Sequence, residues 1–169
     1  METKTNPKQK GVFTMAFIDL MKEKARKDVK TIVLPESNDE RTLTAAAQVM
    51  KEKTANLILL GNEEKIMADA KALGADLTGV AIVDPETDPK FEHYAETLFH
   101  LREKKGMTLE KARETLKADY ITYGVMMVKE NDADGLVAGA CHATADTLRP
   151  ALQILKTAPG TELVSGFFI

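Results

Sequence analysis

The chain has 169 residues, of which 44% are hydrophobic and 29% charged, a balance that is typical of globular proteins and argues against a disordered chain or a membrane protein. Its formal net charge of −3 argues against a general nucleic-acid binder and against a protein that binds acidic membranes. A single Cys excludes an internal disulfide framework and a cysteine-rich zinc site, and three His leave few ligands for any metal.

The first fourteen residues, 1–14, are more polar and basic than the rest and include Pro7 and Gly11. They lack the apolar stretch of a secretion signal, so we expect a cytoplasmic protein. We interpret them as a disordered leader or an upstream extension rather than a functional arm, with Met15 as a candidate alternative start.

From Ala16 onward the hydrophobic pattern predicts an alternation of helices and strands. A first helix is expected to reach about Lys27, and a capping box at Ser37–Glu40 is expected to begin the second. The strands are continuous apolar runs, which are typical of a parallel sheet with helices on both faces. They are predicted at residues 31–34, 57–60 and 80–83, with helices after the first two at about 40–50 and 63–73.

Three more helices, a strand and a further helix are predicted in the second half of the chain. The helices are expected at residues 91–105, 108–116 and 119–129, the strand at 135–138 and the last helix around 148–155. Gly124 is an unfavourable residue inside the third of these helices. The predicted fold class is therefore α/β, with three α-β-α layers and a mostly parallel sheet.

An apolar stretch at residues 163–169 ends the chain and is expected to form another strand. Such a strand needs neighbours to bury it. We therefore expect an α/β domain over residues 15–157 and the first strand of a second, otherwise missing domain over residues 158–169.

Ligands of open α/β sheets bind beyond the carboxyl ends of the strands, and two segments of this chain leave strands at that edge. They are residues 35–41 and 139–150, which face the same cleft if their strands are parallel. The second combines small residues, the hydroxyls of Thr144 and Thr147, and a helix N-terminus, all of which suit phosphate or carboxylate. Arg149 adds a fixed positive charge. Because the segment is neither a GxGxxG fingerprint nor a Walker loop, it predicts an anion site of another kind.

Simpler interpretations of the same segment stay open. Thr144, Asp146 or Thr147 could do no more than cap the helix. Cys141 beside His142 suggests a nucleophile and a base. However, adjacent residues of an extended loop point apart, so we interpret Cys141 as a small buried side chain.

Arg102 lies four residues beyond Leu98 and continues the apolar stripe of its helix. A charge in that position must reach solvent, pair with another group or bind an anionic ligand. Alternatively, it only interacts favourably with the helix dipole. His93 and His100 have no third ligand at metal spacing, so we predict no metal site.

Five segments carry a resemblance to a known family. They are Leu34-Pro35-Glu36, Asp39-Glu40-Arg41, Leu101-Arg102 with Lys105-Gly106, Ala133-Asp134-Gly135, and the long segment from Gly139 to Gln153. The last is the most specific. Together, over about residues 15–169, they resemble the amino-terminal half of the phosphotransacetylases (phosphate acetyltransferases).

The resemblance implies a two-domain subunit similar to the isocitrate/isopropylmalate dehydrogenase-like fold, usually a homodimer with its site between the domains. It implies the reversible reaction of acetyl-CoA with phosphate to give acetyl phosphate and CoA. CoA is a substrate here, and no tightly bound cofactor, nucleic acid or membrane is implied. The family's catalytic Asp and its phosphate-binding Arg and Ser lie in the carboxyl half. We therefore assign no catalytic residue and expect this chain to be inactive alone.

The resemblance also implies that Arg102 and Arg149 contact CoA, and we expect Thr144, Thr147 and His142 to bind CoA or phosphate with them. Three alternatives remain open. The chain could be a non-catalytic phosphotransacetylase-like domain for regulation or oligomerisation, like those fused to malic enzymes. It could belong to an acyltransferase similar to phosphate butyryltransferases, or to a hydrolase that uses its single Cys.

Overall fold

The computed structural model describes residues 7–161, with side chains from residue 17 onward. In this part of the chain four strands form one parallel sheet in the order β3-β2-β1-β4. The strands are β1 (Thr31–Leu34), β2 (Asn56–Leu60), β3 (Ala81–Val83) and β4 (Gly135–Leu136). The helices are α1 (Pro7–Lys27), α2 (Glu40–Glu52), α3 (Glu63–Leu73), α4 (Phe91–Arg102), α5 (Leu109–Ala118), α6 (Tyr120–Lys129) and α7 (Thr144–Ile154), with a 3-10 turn at Glu103–Lys105.

Strand β1 lies between β2 and β4, so the strand order reverses at β1. Val33 of β1 is paired with Ile58 of β2 on one side and with Leu136 of β4 on the other. Such a reversal opens a crevice beyond the carboxyl ends of two neighbouring strands, which here are β1 and β4. The two segments predicted to face one cleft do leave neighbouring parallel strands.

Helices cover both faces of the sheet. On one face, α2 and α3 pack Leu43 and Ile66 against Leu57 and Leu59 of β2. On the other face, helices α4 to α7 bury the β2 side chains that alternate with these along the strand. The predicted three-layer α-β-α class is confirmed.

Gly124 allows α6 to lie close to the sheet. A Cβ atom at this position would be 2.6 Å from Cδ1 of Leu136 and 3.0 Å from Cγ1 of Val33. The glycine that weakens the helix locally therefore serves the packing of the helix against β1 and β4.

Helix α2 does not begin with the predicted capping box. Its N-cap is Asp39, whose carboxylate accepts a 2.9 Å hydrogen bond from the N–H of Arg41. Ser37 lies two residues earlier, and its buried hydroxyl donates instead to the carbonyl of Leu60 at 2.5 Å. The prediction was wrong because this hydroxyl bridges the ends of β1 and β2.

Helix α1 begins at Pro7 rather than at Ala16, so the second half of the predicted leader is helical. Proline is well tolerated at a first helical position, since the N–H it lacks would have no partner there. Residues 1–6 and the predicted strand over residues 163–169 lie outside the described residues. The division of the chain at residue 158 stays a prediction. None of the described helices has the length and hydrophobicity needed to cross a membrane.

Candidate functional site

The β1–α2 segment (residues 35–39) and the β4–α7 loop (residues 137–143) meet beyond the ends of their strands. Glu36 makes the main contact and is only 2% exposed. Arg41, in the first turn of α2, makes a second contact, because its guanidinium donates to the carbonyl of Ala140 at 2.5 Å. The expectation that these two segments share one cleft is thereby confirmed.

Four consecutive backbone amides of the β4–α7 loop point at the carboxylate of Glu36. They are the N–H groups of Gly139 and Ala140, each 2.7 Å from Oε2, and those of Cys141 and His142, 2.9 and 3.0 Å from Oε1. The loop amides that were expected to bind an anionic ligand therefore bind a carboxylate of the protein itself. A ligand anion must therefore use groups other than these four amides.

These contacts keep Glu36 ionised. Burial raises the pKa of Glu36, but hydrogen bonds from the loop amides and from the His142 side chain outweigh burial and hold that pKa at about 2. An ionised carboxylate can only accept hydrogen bonds. Nδ1 of His142 lies 2.7 Å from Oε1 of Glu36, so it must carry the proton.

The side chains of Cys141 and His142 converge, contrary to the prediction that they point apart. Sγ of Cys141 is 3.6 Å from Nδ1 of His142 and 3.4 Å from Oε1 of Glu36. Both side chains turn toward this carboxylate, and Cys141 is exposed rather than buried. Desolvation and the negative charge of Glu36 raise the pKa of the thiol, which makes it a poor nucleophile near neutral pH.

Helix α7 begins at Thr144, and no side chain among the described residues caps it. Its N-cap is Ala143, which has no hydroxyl or carboxylate to offer. The hydroxyl of Thr147 donates to the carbonyl of Ala143 at 3.4 Å and does not accept from a free N–H of the first turn. The interpretation that Thr144, Asp146 or Thr147 only caps the helix is therefore wrong, and the first turn is left open to a ligand.

Arg149 lies in the second turn of α7. Its side chain is 63% exposed and its Nη2 is 4.0 Å from Oδ1 of Asp146, so the guanidinium is only loosely paired. Arg102 is the last residue of α4, and its buried Nε has no hydrogen-bond partner among the described residues. The structure thus places His142, Thr144, Thr147 and Arg149 on one loop and helix, whereas Arg102 belongs to a separate helix.

A cavity of about 450 Å³ adjoins this loop at the same edge of the sheet. Its lining includes His142, two lysines and two aspartates, so both charge signs face it. The charged residues are Lys65, Asp69, Lys117 and Asp119.

Glu36, Cys141 and His142 also offer three potential metal ligands, whose atoms lie within 4.8 Å of one another. The surroundings do not suit a cation, because Glu36 Oε1 already accepts two amides and the Nδ1–H of His142. A metal ion would have to displace these donors. The donor set is therefore better explained as a hydrogen-bond network.

Sequence reasoning did not assign Glu36 or Arg41 to the site. Both belong to segments that carried the family resemblance, and the segment around them was expected to enter the cleft. The expected position of the segment in the cleft was the available signal. The sequence could not show which groups Glu36 and Arg41 contact, because these lie about a hundred residues away in the chain.

The chain is similar in sequence to known proteins. The family model described as phosphate acetyl/butaryl transferase matches residues 16–169. A phosphate acetyltransferase of Acetivibrio thermocellus is 57% identical over 155 residues, which cover 92% of this chain and 46% of that protein. The chain thus spans about half the length of this relative.

Two solved structures share the fold. A phosphotransacetylase from Streptococcus pyogenes superposes with a TM-score of 0.83 at 39% identity, over 88% of this chain and 45% of that one. A phosphotransacetylase from Staphylococcus aureus gives a TM-score of 0.80 at 38% identity, over 88% of this chain and 44% of that one.

Proposed function

Because the chain belongs to the phosphate acetyl/butaryl transferase family, we propose that it supplies substrate-binding residues for phosphate acetyl transfer. The reaction is the reversible conversion of acetyl-CoA and phosphate into acetyl phosphate and CoA. We further propose that the enzyme is a cytoplasmic homodimer with no tightly bound cofactor, and that its reacting groups lie partly outside this chain.

The first turns of α7 carry this proposal. No side chain in the part of the chain that the structure describes caps this helix, which leaves its dipole and first amides to bind phosphate. Arg149 is exposed and loosely paired one turn further on, and Thr144 and Thr147 add hydroxyls. Local donors of this kind are needed because the ligands are anionic while the chain carries a net charge of −3.

The chemistry divides naturally between binding and proton transfer. A thiol such as that of CoA has a pKa of about 8.5, so its attack on acetyl phosphate needs a base that forms the thiolate. The thiolate attacks the carbonyl carbon, and phosphate leaves as the C–O bond breaks. Fixed donors must stabilise the oxyanion and the leaving phosphate. We assign binding to Arg102, Arg149 and the α7 hydroxyls, and we assign no base within this chain.

A chimera tests the proposal. Residues 16–169 would replace the matching segment of the Acetivibrio thermocellus relative, with that relative as the positive control. We expect the chimera to form acetyl-CoA from acetyl phosphate and CoA, followed by thioester absorbance, and the 169-residue chain alone to be inactive.

A folded chimera without activity, beside an active parent, would overturn the proposal and favour a regulatory or oligomerisation domain. Robust turnover by the isolated chain would contradict the assignment of catalytic groups elsewhere. Faster turnover of butyryl phosphate than of acetyl phosphate would favour the butyryltransferase alternative.

A further inference from the structure

Glu36 has no capacity left for a ligand. Its two carboxylate oxygens accept four backbone N–H groups and the imidazole of His142, and the residue is 2% exposed. A carboxylate so enclosed cannot exchange protons with a substrate. What it can do is hold its neighbours in place.

We propose that Glu36 is a positioning residue, which fixes the backbone of residues 139–142 and orients the His142 ring so that Nε2 is the nitrogen presented to a ligand. Its importance for acetyl transfer rests on the proposed function. The orientation itself rests only on the contacts within this chain.

The hydrogen-bond pattern determines the tautomer of His142. Glu36 accepts a hydrogen bond from the Nδ1–H of His142, so Nε2 of the neutral ring is an acceptor. Nε2 has no hydrogen-bond partner among the described residues, and His142 lines the adjacent cavity. A ligand there would meet an acceptor for an S–H or O–H group, or a donor to phosphate once the ring is protonated.

A neutral amide cannot replace the carboxylate in this role. In a Glu36→Gln variant one oxygen becomes an NH2 group, which would face N–H groups of the loop rather than accept from them. The loop would have to move, or the two amides that face the NH2 group would lose their acceptor. The oxygen that remains is a neutral and weaker acceptor than a carboxylate oxygen, so Nδ1–H of His142 is held less strongly wherever the NH2 group lies.

His93 provides an internal control for the tautomer. Its Nε2, not its Nδ1, lies 2.8 Å from Oε2 of Glu130, which predicts the opposite tautomer. The chain has only three His, so the signals can be assigned by comparison with a His142→Asn spectrum.

The test is 15N NMR of the imidazole nitrogens in the 169-residue chain, in buffer alkaline enough for the rings to be neutral. We expect His142 to be mainly the Nδ1–H tautomer and His93 mainly the Nε2–H tautomer. Glu36→Gln should shift His142 alone toward Nε2–H. Glu40→Gln, at the exposed first residue of α2, should shift neither ring.

An Nε2–H tautomer of His142 in the wild-type chain would overturn the proposal, whether or not the variant folds. So would an unchanged tautomer in a folded Glu36→Gln variant. Calorimetric titration with CoA separates this result from the proposed function. If the folded chimera fails to bind CoA while the tautomer of His142 behaves as expected, the positioning role stands and the proposal of acetyl transfer falls.

Discussion

Glu36 joins two segments that lie 103 residues apart in the chain, and its ionisation should be visible in folding stability. Its pKa is lowered from 4.5 to about 2 in the folded chain. A lowered carboxyl pKa contributes stability above the unfolded value and loses it as the pH falls toward the folded value. The contribution of Glu36 should therefore be complete above about pH 4.5, decline toward pH 2, and amount to about 3 kcal/mol.

Urea unfolding of the wild type and Glu36→Gln at several pH values measures this contribution. We expect the variant to be less stable by about 3 kcal/mol at pH 7, with the difference shrinking between pH 4.5 and 2. The other carboxylates titrate in both proteins, so their contributions cancel in the difference between the two free energies of unfolding. A difference that stays constant over this range would contradict the assigned role of the Glu36 charge.

Arg149 should matter for ligand binding and not for folding. It is 63% exposed and only loosely paired with Asp146, and exposed ion pairs contribute little to stability. Arg149→Ala should raise the KM for CoA of the active chimera about tenfold or more, and change the free energy of unfolding by less than about 0.5 kcal/mol.

Arg113→Ala is the matched control, because Arg113 lies on α5 and pairs with Glu92 away from the β4–α7 loop. It removes the same charge and should leave the KM for CoA unchanged. An equal rise of the KM for CoA in the two variants would mean that Arg149 acts only through the net charge of the protein and does not contact CoA.

Helix α6 depends on Gly124 in a way that can be tested by the sign of a stability change. Helix propensity alone would make Gly124→Ala stabilising by up to about 1 kcal/mol. The added Cβ would lie 2.6 Å from Cδ1 of Leu136 and 3.0 Å from Cγ1 of Val33. Val33 is buried and β-branched, so its side chain cannot move away easily. We expect net destabilisation of about 1–3 kcal/mol, measured by urea unfolding. A stabilised variant would show that α6 can move off the sheet at little cost.

Periodicity predicted the elements better than their ends. Strand β1 and helix α3 begin and end at the predicted residues, because apolar runs and stripes are local properties of the sequence. Ser37 was misassigned as a cap because its actual partner, the Leu60 carbonyl, becomes a neighbour only after the sheet forms. The role of Glu36 could not be predicted for the same reason, since the amides that it binds lie more than a hundred residues further along the chain.

The two hydrophobic cores within residues 17–161 share the same strands. Along β2, Leu57 and Leu59 face the core under α2 and α3, while Ile58 and Leu60 face the core under α4 to α7. Loss of either helical layer would expose one face of β2 to water. The two layers should therefore unfold together as one cooperative unit.

A substitution on one face, observed from the other, tests this cooperativity. Leu43→Ala removes a fully buried side chain from the α2 face and should cost about 2–5 kcal/mol. The chain has no Trp, and all three of its Tyr pack on the opposite face, Tyr94 and Tyr123 buried and Tyr120 partly buried, so tyrosine fluorescence reports that face alone. In Leu43→Ala, the urea concentration at the unfolding midpoint should fall by the same amount whether it is followed by tyrosine fluorescence or by far-UV circular dichroism. Met67→Ala, at a half-exposed position of α3, should move neither midpoint appreciably. Separate midpoints in Leu43→Ala would mean that the layer carrying α7 can stay folded without the layer carrying α2, despite the Glu36 and Arg41 contacts between them.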